Sequence, residues 1–123
     1  MQPWQRYMQN SIMTSNPIKN TILIYEKAII EFKQLEELLQ SFRFQEADPV
    51  MDKLEDIFEE LKLQLNPDID EELYNNLVKL YDWILQSVQK MKIAREPKEI
   101  EAIIYVLNQL IEGYRGVLAN EQQ

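Results

Sequence analysis

Between Glu71 and Val88 the chain reads EELYNNLVKLYDWILQSV, and its apolar positions return at the period of an α-helix. Leu73, Leu77, Leu80, Ile84 and Met91 form one row at spacings of three, four and seven. A second row, Tyr74, Val78, Tyr81 and Leu85, lies beside it, and Trp83 sits on the opposite flank. At about 100° per residue these rows sweep an apolar arc of roughly 220°, whereas a core-facing bundle helix needs only about 100°. This helix carries more apolar surface than one layer of neighbours requires.

Three further amphipathic helices are predicted around it. Asn16-Pro17 is a start signal, a capping side chain followed by a residue suited to the first helical position. The helix it opens runs to about Gln40, with Ile22, Tyr25, Ile29, Phe32 and Leu39 inward and Ala28 and Leu35 beside them. Leu23 and Ile30 fall instead among Glu26, Lys33 and Glu37, an apolar strip on a charged face. Asp48-Pro49 repeats the start signal and predicts a helix to Leu65, with Val50, Leu54, Ile57, Phe58, Leu61 and Leu65 inward and Leu63 outward. Asn66-Pro67-Asp68 ends it, and Asp68 or Asp70 caps the Glu71 helix.

Glu96-Pro97 separates the last helix, expected over Pro97 to Leu118. It should bury Ile100, Ile103, Ile104, Leu107, Leu110, Ile111, Tyr114 and Leu118. Gly113 inside that pattern costs roughly 1 kcal/mol against alanine, so close packing or a late fray is expected there. Ahead of these helices, Trp4, Tyr7, Met8 and Ile12 share one side of a short amphipathic segment, too short to hold a helix alone in water. The expected organisation is a flap over residues 1–15, a bundle over 16–119 and a polar tail over 120–123. The fold class is all-α, an antiparallel up-down-up-down four-helix bundle with a short N-terminal helical segment.

Composition narrows the chemistry. With 123 residues the chain is read as one domain, and only two glycines suit helices joined by short connections. A net charge of −8 with no basic stripe opposes nucleic acid and anionic membrane. Without Cys there is no disulfide or thiol nucleophile, and without His the usual general base and commonest metal ligand are gone. The pairs Glu36-Glu37, Glu59-Glu60 and Glu71-Glu72 point about 100° apart and converge on no ligand. No phosphate-binding glycine loop occurs, and no apolar run is long enough to span a bilayer. The expectation is a soluble cytoplasmic protein that is not an enzyme and has no cofactor or metal. What remains is a binding surface, served by an oligomer, by a second layer of the chain, or by a partner helix laid in a groove.

Several blocks resemble the flagellar secretion chaperone family, FliS. These are Tyr7-Met8-Gln9-Asn10-Ser11-Ile12, then Thr14-Ser15-Asn16-Pro17 with Tyr25 eight residues on, then Leu61 to Asn66. The most specific is Asn76-Leu77-Val78-Lys79-Leu80-Tyr81-Asp82-Trp83. The likeness departs at Pro67-Asp68-Ile69 and Tyr74, where the family often has Gly and Ala, at Asn20, usually Leu, and at Tyr114, usually Trp.

The resemblance implies a cytoplasmic export chaperone that holds the disordered C-terminal region of flagellin in hydrophobic grooves. It thereby prevents premature polymerisation and aids delivery to the type III export gate. It further implies that the client folds on binding, and that the N-terminal segment covers part of the groove, with Tyr7 serving at the gate. The partner-binding residues expected are Tyr7, Leu23, Ile30, Tyr74, Asn76, Leu77, Val78, Tyr81 and Leu85, of which Leu77 and Tyr81 suit the core better and Tyr74, Val78 and Leu85 suit core and groove about equally. The alternative is a self-assembling bundle, a homodimer joined through its extra apolar face without a secretion client.

Overall fold

The cap read at Asn16 is formed: its Oδ1 accepts hydrogen bonds from the backbone of Ile18 at 3.0 Å and Lys19 at 3.4 Å. A computed structural model of the protein describes residues 16–68 and 70–121. In it α1 spans Pro17–Gln40, α2 Phe44–Leu63, α3 Glu71–Ala94 and α4 Ile100–Glu121. No strand occurs among the described residues, and the fold is an all-α four-helix bundle. The expected helical segment before Asn16, with Tyr7, lies outside the described residues.

Each helix ends for a local reason. Past α1, Arg43 N–H donates to Leu38 O at 2.9 Å and Phe42 N–H to Leu39 O at 3.1 Å, the paired bonds of a Schellman stop. That stop needs a left-handed residue, a place where glycine is usual, yet Phe42 holds it at φ 59°. Asp70 Oδ1 caps α3, accepting from Leu73 N–H at 3.0 Å. At the other end Arg95, with φ 60°, closes α3 by donating its N–H to Met91 O at 2.9 Å.

Both ends of the second and the last helix differ from the sequence reading. The second helix begins at Phe44, five residues before Pro49, and Pro49 lies inside it. Asp48 is therefore no cap; its carboxylate pairs with Arg95, 47 positions along the chain. Ala47, wholly buried, draws the extra turn into the core. The last helix starts at Ile100 and continues past Leu118 to Glu121, running through Gly113 without a fray. A Cβ added at Gly113 or Gly116 would meet nothing within 4 Å, so neither glycine serves close packing.

The chain packs as two compact units. In the first, Met1–Ile30 with Glu101–Gln123, the buried positions include Ile22, Tyr25 and Ile29 of α1 and Ile103, Leu107 and Ile111 of α4. The Tyr25 and Tyr114 rings lie 6.0 Å apart. Burial pushes the Tyr114 phenol above its ordinary pKa, against a hydrogen bond with Tyr25 that lowers it. Ile104, Leu110, Tyr114 and Leu118, expected inside, are only half-buried. Their offset from the Ile103–Leu107–Ile111 line carries them to the edge of the buried stripe.

The second unit is Glu31–Ile100. Phe58 of α2 lies between Phe32 of α1 and Tyr81 of α3, with centroids 6.1 and 5.8 Å away, and all three side chains are fully buried. Around them pack Leu35, Leu39, Met51, Leu54, Ile57 and Ile84. Polar bonds then tie α2 to α3: Asp48 to Arg95, Asp52 to Lys92 at 2.6 Å, Glu55 to Lys92 and Gln89, and Lys62 to Asp82 at 2.6 Å. Residue numbers rise on α2 as they fall on α3, so the two helices are antiparallel. Buried Glu31 joins α1 to α2 through Lys53 at 2.9 Å. Partly exposed pairs add little stability each, but a row of them fixes register.

These features generate two expectations. Gly113→Ala should stabilise by roughly 1 kcal/mol, and Phe42→Gly by about 1 kcal/mol through relief of the left-handed backbone; urea midpoints check both. The second concerns pH. The hydrogen bond to Asp82 raises the pKa of Lys62. Burial lowers that of Lys92, but hydrogen bonds to Asp52 and Glu55 outweigh it and the net shift is upward. Folded-state values above the unfolded ones mean that this stability is complete below about pH 10 and is lost as pH rises through the folded values. Thermal melts should fall above about pH 10, and fall less steeply in Lys92→Met.

Candidate functional site

Two parallel rows on α3 decide what it offers. Leu77, Tyr81, Ile84, Val88 and Met91 recur at four, three, four and three, and all are buried. This inward row takes members from both rows read in the sequence. Leu73, expected inside, is exposed, and Leu80 is half-buried.

The next row, Val78, Asp82, Leu85, Gln89 and Lys92, has the same spacing one step round the helix. Asp82, Gln89 and Lys92 bond to α2, so the row faces that helix. Val78 and Leu85 sit between those polar groups and are half-buried for that reason. Tyr74 extends the row by one turn, half-buried and close enough for its phenol to act electrostatically on Lys62. Tyr74, Val78 and Leu85 therefore form an apolar strip along the α2 side of α3, interrupted by Asp82 between Val78 and Leu85 and open to solvent on its outer edge.

The other expected positions divide. Leu77 and Tyr81 belong to the core, and Asn76 is exposed. In the first unit, Leu23 and Ile30 are 42% and 60% exposed, two turns apart on the outer face of α1. Tyr7 lies outside the described residues. Sequence spacing did not single out Phe42 or Ile93, yet they are 78% and 84% exposed. Ile93 stands off the inward row between Lys92 and Ala94, which is the one signal that marks it.

The strip suits apolar contact, not bond chemistry. Among the described residues no group of three or more His, Cys, Asp or Glu could hold a metal ion. No described helix is long and apolar enough to cross a membrane. A partner segment laid on the strip would find an apolar floor between fixed charges, Lys62–Asp82 at one level and Lys92 with Asp52 and Glu55 at another.

Comparison with known proteins agrees with this geometry. A solved structure described as the crystal structure of a flagellar chaperone from bacteria is 65% identical, with a TM-score of 0.84 and 95% of each chain covered. No curated protein matches the chain. The family described as "Flagellar protein FliS" matches residues 1–121, nearly the whole length, and on that match the chain belongs to the FliS family.

Proposed function

We propose that this flagellar chaperone binds the C-terminal segment of flagellin in the cytoplasm and keeps it from polymerising before export. The observation that carries the reading is the half-exposed strip of Tyr74, Val78 and Leu85 beside a fully buried row on the same helix. A disordered client loses conformational entropy on binding and must recover it through apolar contact. The strip supplies such contact in a form that an amphipathic helix can match, its own apolar positions recurring at three and four. Leu23 and Ile30 add a second exposed apolar surface on α1 for an extended client. Asn76 offers a polar contact near the start of α3, and Tyr7 is assigned to docking of the loaded chaperone at the export gate.

Replacing Val78 and Leu85 by arginine tests the seat, because the long stem can carry the charge out to solvent without opening the core. The double variant should lose flagellin C-terminal peptide binding at least 30-fold by calorimetry while its circular dichroism and melting midpoint stay close to wild type. Leu77→Ala, by contrast, should cost about 3 kcal/mol of stability through the cavity it leaves. Unchanged affinity in the arginine variant would remove the strip as the seat. Its unfolding would place Val78 and Leu85 in the core.

A further inference from the structure

Two carboxylates beside the apolar strip have no partner inside the fold. Asp52, Glu55, Glu59 and Lys62 recur on α2 at spacings of three, four and three and form the row that faces α3. Three of them bond across to that helix, Asp52 and Glu55 to Lys92 and Lys62 to Asp82. Glu59 does not. It is exposed, enters no hydrogen bond or ion pair among the described residues, and acts on Lys62 only through space. Asp56, one turn before Glu59 and further out on the helix, is exposed and equally without a cation.

The bonds on either side fix what Glu59 borders. Glu55 lies level with Gln89, and Lys62 with Asp82. Glu59 is four residues past Glu55 and three short of Lys62, just as Leu85 is four from Gln89 and three from Asp82 on the antiparallel α3. Glu59 therefore stands level with Leu85, at the open edge of the strip.

These carboxylates repel one another. Asp52 and Asp56, Glu55 and Glu59, and Asp56 and Glu59 are neighbours on the helix surface, four or three residues apart. Lys92 answers Asp52 and Glu55 together, which leaves that level negative, and Lys62 is engaged by Asp82. Among the described residues no group of His, Cys, Asp or Glu suits a metal ion. The cation that fits beside Leu85 is an ammonium or guanidinium brought by a partner.

We propose that Glu59 and Asp56 select the client, an inference that rests on the client reading of the strip: the bound segment carries a lysine or arginine one turn from the apolar side chain that meets Leu85. Apolar contact holds the segment, and the carboxylates discriminate among segments of equal apolarity. As the segment covers the strip, water leaves the edge at Glu59, so its attraction for the arriving cation grows. A segment with a carboxylate at that place is repelled.

The test uses an acetylated, amidated amphipathic peptide of about 18 residues, long enough to hold a helix once seated. Its leucines recur at three and four, and the positions flanking the central leucine are lysine, glutamine or glutamate in three otherwise identical forms. Calorimetry on the full chain should show the lysine form binding about fivefold tighter than the glutamine form, with the glutamate form weakest. Added salt should erase the difference without loosening the glutamine form. Asp56→Asn with Glu59→Gln should cut the lysine preference below about twofold and weaken the flagellin C-terminal peptide about fivefold, at an unchanged melting midpoint. Glu59→Lys should turn the preference toward the glutamate form. Equal binding of the three forms, a lysine preference that persists in the double variant, or unchanged flagellin-peptide affinity there would overturn the proposal and leave the client reading standing. Binding of all three forms that survives Val78→Arg with Leu85→Arg would overturn both, because the seat would then lie off the strip.

Discussion

Burial of Phe58 between Phe32 and Tyr81 is the constraint from which the second unit follows. One aromatic ring on α2 meets a ring on α1 and a ring on α3, and none of the three retains contact with water. Rings offset by 5.8 to 6.1 Å and tilted at 42° and 54° interlock, so each helix is held against rotation about its own axis. Once Tyr81 points inward, helical geometry takes Leu77, Ile84, Val88 and Met91 inward with it. The rotation of α3 about that point determines every surface it presents.

The polar row beside the core acts on the same helix from outside. Asp82, Gln89 and Lys92 reach across to Lys62, Asp52 and Glu55, and this fixes how far α3 slides along α2. It also determines why Val78 and Leu85 keep an outer edge in water. They share a row with groups that must stay near solvent to remain charged, so α2 covers them only in part. An apolar strip held open by flanking ion pairs is a suitable seat for a segment that gains its structure on arrival, because the seat itself needs no rearrangement.

The two ends of α3 show different uses of backbone geometry. At its start Asp70 caps in the ordinary way, and at its finish Arg95 takes the left-handed position while its side chain pairs with Asp48. Arg95 thus closes one helix and draws an extra turn onto another, since Asp48 would otherwise be free to cap at Pro49. Phe42 does the equivalent work for α1, and its exposed ring meets Phe44 edge-on.

Local chemistry was legible in the chain itself. The start at Asn16-Pro17, the stops near Gln40 and Asn66, the break at Glu96-Pro97 and the helical period of the apolar positions all arise from neighbouring residues and hold in the fold. The wide apolar arc of α3 was equally visible, because helical periodicity alone places its members. Which part of that arc faces inward was not. Leu73 and Tyr81 both satisfy a helical stripe, and only Phe58, brought in from another helix, selects Tyr81.

The start of α2 was hidden in the same way, behind an ion pair between residues 47 apart. The sequence by itself determined that four amphipathic helices would form and that one carried apolar surface to spare. Their rotation and register, and with them the identity of the exposed strip, were decided by tertiary contacts. Side-chain periodicity specifies a face only to within a residue or two, and packing against a partner removes that freedom.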